Sequence, residues 1–318
     1  MKRAITKIIA NKKPGGPKPR EPHCEKCARQ IGWINLSASI VVTALRVAIG
    51  ILSRSSALLT SSFYSFTNAG AALIIIIARK ISAKPVDREH PFGHGKAEFI
   101  AIFFLSALSM IGLLCLTVTS LNVLVNGIDS PPHWIAAAVA IVSIIAGRLL
   151  YSYTTCVGKN LNSPAITTQA EHIHSDTVGN IAVMAGVIGA RLGFYFMDPL
   201  AALFEVVHLI LLIRRMFFFA VSGLMDHAID RRKVQQIERY AAGVPGVRRV
   251  NRMRARQIGQ MIWVDLDIAL DGDLNVIEGN KIIEKVKKAI IGHVSHVGNI
   301  TVGFAPAERM EKPCILNR

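Results

Sequence analysis

The sequence predicts a membrane all-α bundle of six helices followed by a small α+β domain on the cytoplasmic side. Six segments are apolar over enough residues to cross about 30 Å of hydrocarbon. Hydrophobic residues make up 51% of the chain, yet the formal net charge is +16. Membrane proteins accommodate both features by placing apolar spans in lipid and basic residues in cytoplasmic loops. From Asp226 onward the long apolar runs give way to shorter periodic segments.

The six predicted spans are joined by short loops, so consecutive helices are expected to pack antiparallel. They cover residues 31–52, 57–78, 99–125, 133–157, 165–192 and 199–221. Residues 1–30 are basic and contain a Pro- and Gly-rich stretch, which is typical of a disordered cytoplasmic tail. The predicted domains are 31–222 for the bundle and 226–305 for the α+β domain, with a loose tail at 306–318.

The distribution of Lys and Arg predicts the orientation of the bundle. These residues are frequent in the N-terminal tail and in the loop after the second span, whereas residues 126–132 after the third span contain none. Cytoplasmic loops carry such an excess, so both termini are expected in the cytoplasm. Strong positive charge also suits a nucleic-acid binder, but the apolar runs are too long for a soluble core. We therefore expect membrane lipid, and no nucleic acid, around this chain.

The segment after the bundle predicts a compact layer of two helices and three strands. Helices are expected at 231–242 and 275–291, and strands at 247–257, 261–270 and 298–304. In the second strand, apolar residues from Ile262 to Ile268 alternate with polar or aromatic ones, which is the period of a half-buried strand. The order αββαβ indicates a ferredoxin-like α+β domain.

His172 and Asp176 on the fifth span are the main candidates for a functional site. They are four residues apart, which places both side chains on one helix face, one turn apart. An imidazole and a carboxylate together suit a divalent metal such as Zn²⁺, Fe²⁺ or Mn²⁺. An unpaired carboxylate at membrane depth is costly. The two residues therefore mark either a substrate path or a structural hydrogen-bonded pair.

The loop between the second and third spans contains another candidate metal site. Asp87, His90 and His94, here called the loop cluster, lie within the sequence DREHPFGHGKAE. Two His residues four apart with an upstream Asp can hold a metal ion. The alternative is a glycine-rich tight turn whose polar side chains are solvated.

Together these features resemble the cation diffusion facilitator family. The resemblance covers residues 31–304, and the stretches CEKCARQIGW, HPFGHGKAEF, GLMDH and RARQIGQMIW look like the magnetosome-membrane branch of the family. Members are proton-coupled exporters of divalent metals that work as homodimers, and this branch supplies iron to magnetite-forming vesicles. The resemblance implies Fe²⁺, Mn²⁺ or Zn²⁺ as substrate, proton antiport, and a location in the magnetosome or inner (cytoplasmic) membrane.

The resemblance also implies a tetrahedral transport site, in which two residues of the second span face His172 and Asp176. The start of that span, Ser-Ala-Leu-Leu, places Tyr64 and Asn68 at these positions, where most members have Asp or His, then Asp. With a neutral Tyr and a neutral amide, the site carries a charge of about −1, against about −3 in the family. Fewer anionic ligands also exchange fewer protons for the metal, which weakens the coupling.

By the same resemblance, the cytoplasmic domain of family members holds a regulatory metal site. Asp265 remains there, next to Trp263. Asn251, Asn280 and Thr301 stand where relatives often have His. We therefore expect only a weak metal site in this domain.

Three further implications concern contacts and loops. Lys96 and Asp226 match an ion pair that links the membrane domain to the cytoplasmic domain. The loop cluster matches the secondary cytoplasmic metal site of the family. Cys24 and Cys27 suggest metal binding in a dimer or with a partner, but a lone Cys-x-x-Cys is a weak signal.

Two functions remain open on the sequence alone. The first is a transporter that moves a divalent metal from the cytoplasm to a vesicle lumen against protons, as a homodimer or a heterodimer with a related transporter. The second is a transport-weak paralogue that acts as a structural or regulatory partner of an active relative. It is suggested by Tyr64 and Asn68, which lower the negative charge of the transport site. No nucleophile, phosphate-binding loop or cofactor motif is visible, so we expect neither an enzyme nor an organic cofactor.

Overall fold

The computed structural model describes residues 22–52, 56–126, 134–194 and 196–307. These residues fall into two units, which divide the chain between Met225 and Asp226. The first unit contains the predicted membrane bundle and the second contains the predicted α+β domain.

The first unit consists, within the described residues, of six long helices, the number that the sequence predicts. They are α1 Pro22–Leu52, α2 Ser56–Ser82, α3 Ala97–Asn126, α4 Trp134–Leu161, α5 Pro164–Arg191 and α6 Met197–Leu224. Helix α1 begins nine residues before the predicted span, so part of the expected disordered tail is helical. Apolar composition marks the hydrocarbon-crossing part of a helix, whereas helical hydrogen bonding continues into flanking polar residues. Residues 1–21 lie outside the described residues.

Three stretches of the described chain are long and apolar enough to cross a membrane. They are Gln30–Ile49 in α1, Ala97–Cys115 in α3 and Ala137–Leu161 in α4. Helices α2, α5 and α6 contain polar or ionisable residues within their predicted spans, among them Asn68, Asp176 and Glu205. Such side chains are expected to face the bundle interior or a cavity.

Helix α5 occupies the centre of the bundle, where it packs against α4 and α6 and also contacts α2 and α3. Its N-cap is Ser163, whose side chain accepts a hydrogen bond from the amide of Ile166, and Pro164 follows at the first helical position. The fully buried Glu98 of α3 accepts hydrogen bonds from Oγ of Ser163 over 2.5 Å and from the amide of Ala165 over 3.3 Å. A carboxylate at a helix N-terminus is favoured by the helix dipole, so Glu98 fixes the start of α5.

The second unit is a three-stranded sheet with two helices. Its elements are α7 Arg231–Ala242, β1 Arg249–Ile258, β2 Met261–Leu270, α8 Val276–His293 and β3 Val297–Pro306. The strand order is β1-β2-β3, with β1 antiparallel and β3 parallel to β2. Helix α8 begins after Asn275, which forms a capping box with Glu278. In the core, Leu266 and Ile268 of the central strand pack with Val286 of α8.

Candidate metal sites

A polar cavity of about 90 Å³ lies inside the first unit, between α1, α2, α4, α5 and α6. Small residues such as Ala38 of α1 and Gly147 of α4 line it, and their size leaves the space open. Polar side chains from three other helices also line it: Asn68, Gln169, His172, Asp176, Asn180 and Glu205.

His172 and Asp176 lie together in this cavity. Nδ1 of His172 is 3.6 Å from Oδ2 of Asp176, and the two side chains are 2% and 18% exposed. The other ring nitrogen, Nε2, shares a hydrogen bond of 3.1 Å with Oγ of the buried Ser109 of α3. A histidine held at one ring nitrogen presents the other to a metal ion. Nδ1 of His172 and the carboxylate of Asp176 can therefore bind the same cation.

Asn68 of α2 contacts this pair directly. Its Nδ2 donates to Oδ2 of Asp176 over 2.8 Å, so α2 and α5 meet at two of the positions that the resemblance implies. Oδ1 of Asn68 is buried and has no hydrogen-bond partner among the described residues. The side chains of Tyr64 in α2 and of Cys24 and Cys27 in α1 lie outside the described residues.

Two side chains of this region were not predicted from the sequence, Ser109 beside His172 and Glu205 in the cavity lining, whereas Gln169 belongs to a run of polar residues on the fifth span that is expected to face the bundle interior or a cavity. Gln169 precedes His172 by three residues and therefore lies on the same helix face. Glu205 stands within a mostly apolar part of α6. An ionisable residue inside a span is itself a signal of a functional site, so Glu205 could have been identified from the sequence. His174 lies two residues after His172 and does not line the cavity. Its ring stacks on Tyr151, with the ring centroids 4.8 Å apart.

The loop cluster forms a second group of possible ligands. One ligand atom from each of Asp87, His90 and His94 lies within 4.8 Å of the others. Oδ1 of Asp87 accepts a hydrogen bond of 2.6 Å from the amide of His90, and Oδ2 lies 3.4 Å from Nε2 of His94. The hydrogen bond from that amide lowers the pKa of Asp87 below its ordinary value. The side chains of Asp87 and His90 are half exposed, as expected of a solvated turn, while the short distances between the three side chains suit a metal ion.

Asp265 and Trp263 lie in β2, and no complete metal site surrounds them among the described residues. In the sheet register Asp265 pairs with Arg254 of β1 and with Thr301 of β3. An Arg opposite the carboxylate opposes the binding of a cation. Among the described residues, the group of three or more His, Cys, Asp or Glu side chains close enough to hold a metal ion is the loop cluster, and Asp265 is not part of it. The weak site in this domain stays a prediction.

The predicted ion pair between Lys96 and Asp226 joins residues of different units and also stays a prediction. Within the first unit, Nζ of Lys96 donates to the carbonyl of Leu224 over 3.1 Å. Within the second, Oδ2 of Asp226 accepts a hydrogen bond of 3.0 Å from Nη1 of Arg256.

Comparisons with known proteins match both parts of the chain. Residues 32–225 match the family described as "Cation efflux transmembrane domain", and residues 229–307 match ZT_dimer, "Cation efflux protein, cytoplasmic domain". These matches confirm the predicted fold class, a transmembrane bundle followed by a cytoplasmic α+β domain.

Three relatives are similar to this chain over most of their length. Magnetosome protein MamM of Magnetospirillum gryphiswaldense is 37% identical, covering 91% of this chain and 92% of the relative. Magnetosome protein MamB of Magnetospira sp. is 31% identical, covering 89% and 97%. The putative transporter MamV of Paramagnetospirillum magneticum is 27% identical, covering 91% and 87%. The chain is therefore more similar to MamM than to MamV.

Proposed function

We propose that this chain, which belongs to the cation efflux family of metal transporters, moves a divalent metal ion through the cavity that contains His172 and Asp176. Iron is the first candidate substrate, with Mn²⁺ and Zn²⁺ as alternatives. The observation that carries the proposal is the convergence of Nδ1 of His172 and the carboxylate of Asp176 inside a helix bundle. An imidazole and a carboxylate on one helix face offer a divalent cation two ligands of the types that it prefers.

The direction and the compartment belong to the same proposal. We propose export from the cytoplasm into a magnetosome vesicle, in exchange for protons and with both termini cytoplasmic. The names of MamM and MamB as magnetosome proteins support the compartment, and the basic loops support the orientation. The match to ZT_dimer supports a dimer, either of two copies of this chain or with a related transporter. In this proposal the chain is a carrier and not an enzyme.

A transport-weak partner of an active relative is the second candidate, and Asn68 favours it. Its amide donates to the carboxylate oxygen of Asp176 that also lies nearest to His172. A neutral donor in this place stabilises the empty site and competes with a metal ion for the same oxygen. Asp in place of Asn68 would add an anionic ligand instead.

Metal uptake into vesicles reconstituted with the full chain tests the proposal. We expect the wild type to take up Fe²⁺, Mn²⁺ or Zn²⁺ above protein-free vesicles, and Asp176→Ala to fall to that background. The control is Asp273→Ala, because Asp273 is an exposed aspartate between β2 and α8. Wild-type uptake at background for all three metals would contradict the transporter. A gain of uptake in Asn68→Asp would then identify the missing carboxylate as the cause.

A further inference from the structure

We propose that Glu205 of α6 supplies a second carboxylate to the cation site in the cavity. The side-chain oxygen Oε1 of Gln169 is an additional ligand in this proposal. The inference rests on the proposed function, because it concerns how the same cavity holds the metal. The resemblance places its ligands on α2 and α5, and neither Glu205 nor Gln169 is among them. With both carboxylates ionised, the site has a formal charge of about −2, which matches a divalent cation.

Glu205 lies against the turn of α5 that carries Asp176. Both residues line the cavity. A methyl group on Gly179 would lie 2.5 Å from Oε1 and 2.9 Å from Cδ of Glu205, so the carboxyl group occupies the space that a side chain there would fill. Gly179 follows Asp176 by three residues, which is about 4.5 Å along the helix axis. The lack of a side chain at Gly179 therefore lets the Glu205 carboxylate approach the site.

Glu205 is an ionisable residue in an otherwise apolar stretch of α6. Val206 and Leu209, on the same helix, are buried in a cluster with Leu113 of α3. A carboxylate within such a span is destabilising unless positive charge or hydrogen-bond donors compensate it. We expect a divalent cation in the cavity to be shared between the carboxylates of Glu205 and Asp176, which both line it.

Gln169 provides an independent indication that the cavity binds a ligand. Its side chain is 3% exposed and lines the cavity, and its Oε1 has no hydrogen-bond partner among the described residues. Asn68 also lines the cavity, and its buried Oδ1 likewise has no hydrogen-bond partner among the described residues. A buried carbonyl oxygen without a donor is unfavourable. A cation bound beside the two carboxylates would give both carbonyl oxygens a partner.

The donor set also indicates the class of metal. It combines two carboxylates, two amide carbonyls and one imidazole, so oxygen dominates. Carboxylate and carbonyl oxygens suit Mn²⁺, and imidazole with carboxylate suits Fe²⁺, whereas Zn²⁺ is usually held by four ligands rich in His or Cys. We therefore expect the cavity to prefer Mn²⁺ or Fe²⁺ over Zn²⁺, and we choose Mn²⁺ as the probe.

Binding of Mn²⁺ to the purified full chain in detergent tests the role of Glu205 independently of transport. Every protein in the set carries Asp87→Asn, which removes the carboxylate of the loop cluster. We expect Glu205→Gln and Asp176→Asn each to raise the Kd for Mn²⁺ about 10- to 100-fold. The matched control is Glu171→Gln, because Glu171 is an exposed glutamate of α5 that does not line the cavity, and its Kd should stay at the reference value.

Gly179→Ala separates the position of the carboxylate from its presence. It leaves Glu205 unchanged but forces the carboxyl group away, so it should weaken Mn²⁺ binding while the metal-free unfolding temperature stays near the reference. Reference affinity in Glu205→Gln, together with lost affinity in Asp176→Asn, would overturn the role of Glu205 and leave the proposed function standing. A wild type that neither binds Mn²⁺ nor takes up any of the three metals would overturn both.

Discussion

The cavity and the loop cluster contain the same types of ligand in opposite environments. In each, a histidine ring nitrogen lies near an aspartate oxygen, at 3.6 Å for His172 and Asp176 and at 3.3 Å for His90 and Asp87. The cavity pair is largely buried between helices, whereas the loop pair is half exposed to water. The two sites therefore differ in solvent access far more than in local geometry.

Burial changes what the same side chains contribute. At the loop, water and the amide of His90 already stabilise the Asp87 carboxylate. In the cavity, His172 and Asp176 are 2% and 18% exposed, and the side-chain carbonyl oxygens of Asn68 and Gln169 lack donors among the described residues. Charges interact more strongly where the effective dielectric constant is low. If the chain transports metal as proposed, we expect substitutions in the cavity to have larger effects than the same substitutions in the loop cluster.

The largest expected effect is the difference between two single variants, each of which replaces the Asp of one site with Asn. Asp176→Asn and Asp87→Asn each remove one carboxylate charge and keep the shape of the side chain. We expect Asp176→Asn to lower the initial rate of metal uptake by about 100-fold or more, because the bound cation then loses a largely buried anionic partner. The exposed Asp87→Asn should cost about fivefold or less. Equal losses in vesicle uptake would show that burial is not what distinguishes the two sites.

A smaller effect is expected for Ser109, which acts on the cavity through His172. Ser109→Ala removes the hydroxyl group that lies 3.1 Å from Nε2 of His172. The imidazole then loses the contact that orients it, and we expect metal binding at the cavity to weaken about tenfold. Ser109→Thr retains a hydroxyl group and serves as the control. Unchanged Mn²⁺ affinity in Ser109→Ala would mean that other contacts set the orientation of the ring.

Much of the fold could be predicted because its signals are local. The alternation of apolar and polar residues in β2 marks its bounds, and the predicted and observed ranges agree. The start of α1 at Pro22 could not be predicted in the same way, since hydropathy follows the membrane and not the hydrogen bonds of the helix. The predicted 247–257 strand is observed as Arg249–Ile258, because the ladder with β2 decides where pairing begins.

Sequence spacing alone could group the residues of the site only where they are close in sequence. His172 and Asp176 are one helical turn apart, so their spacing alone suggests that they act together. Ser109 and Glu205 reach the same region from α3 and α6, and only the packing of the helices brings them there. Asn68 entered through the resemblance, but its bond to Asp176 is a contact that the structure reveals.

The smallest expected effect is the pH dependence of the loop's stability, because solvent exposure limits how much the Asp87 carboxylate stabilises the loop. The amide of His90 donates to Oδ1 of Asp87 over 2.6 Å, which lowers the pKa of Asp87 below its ordinary 3.8. Because the folded-state pKa lies below the unfolded one, this stabilisation is fully present above the unfolded value. It is lost as the pH falls through the folded-state pKa.

Hydrogen exchange at the His90 amide measures this loss directly. After correction for the intrinsic exchange rate, we expect protection to be constant above about pH 4 and to fall at lower pH. Asp87→Asn keeps an acceptor oxygen but cannot titrate, so its protection should not follow this pH dependence. A loss of protection in the wild type well above about pH 4 would show that the histidines, and not the Asp87 carboxylate, control the turn.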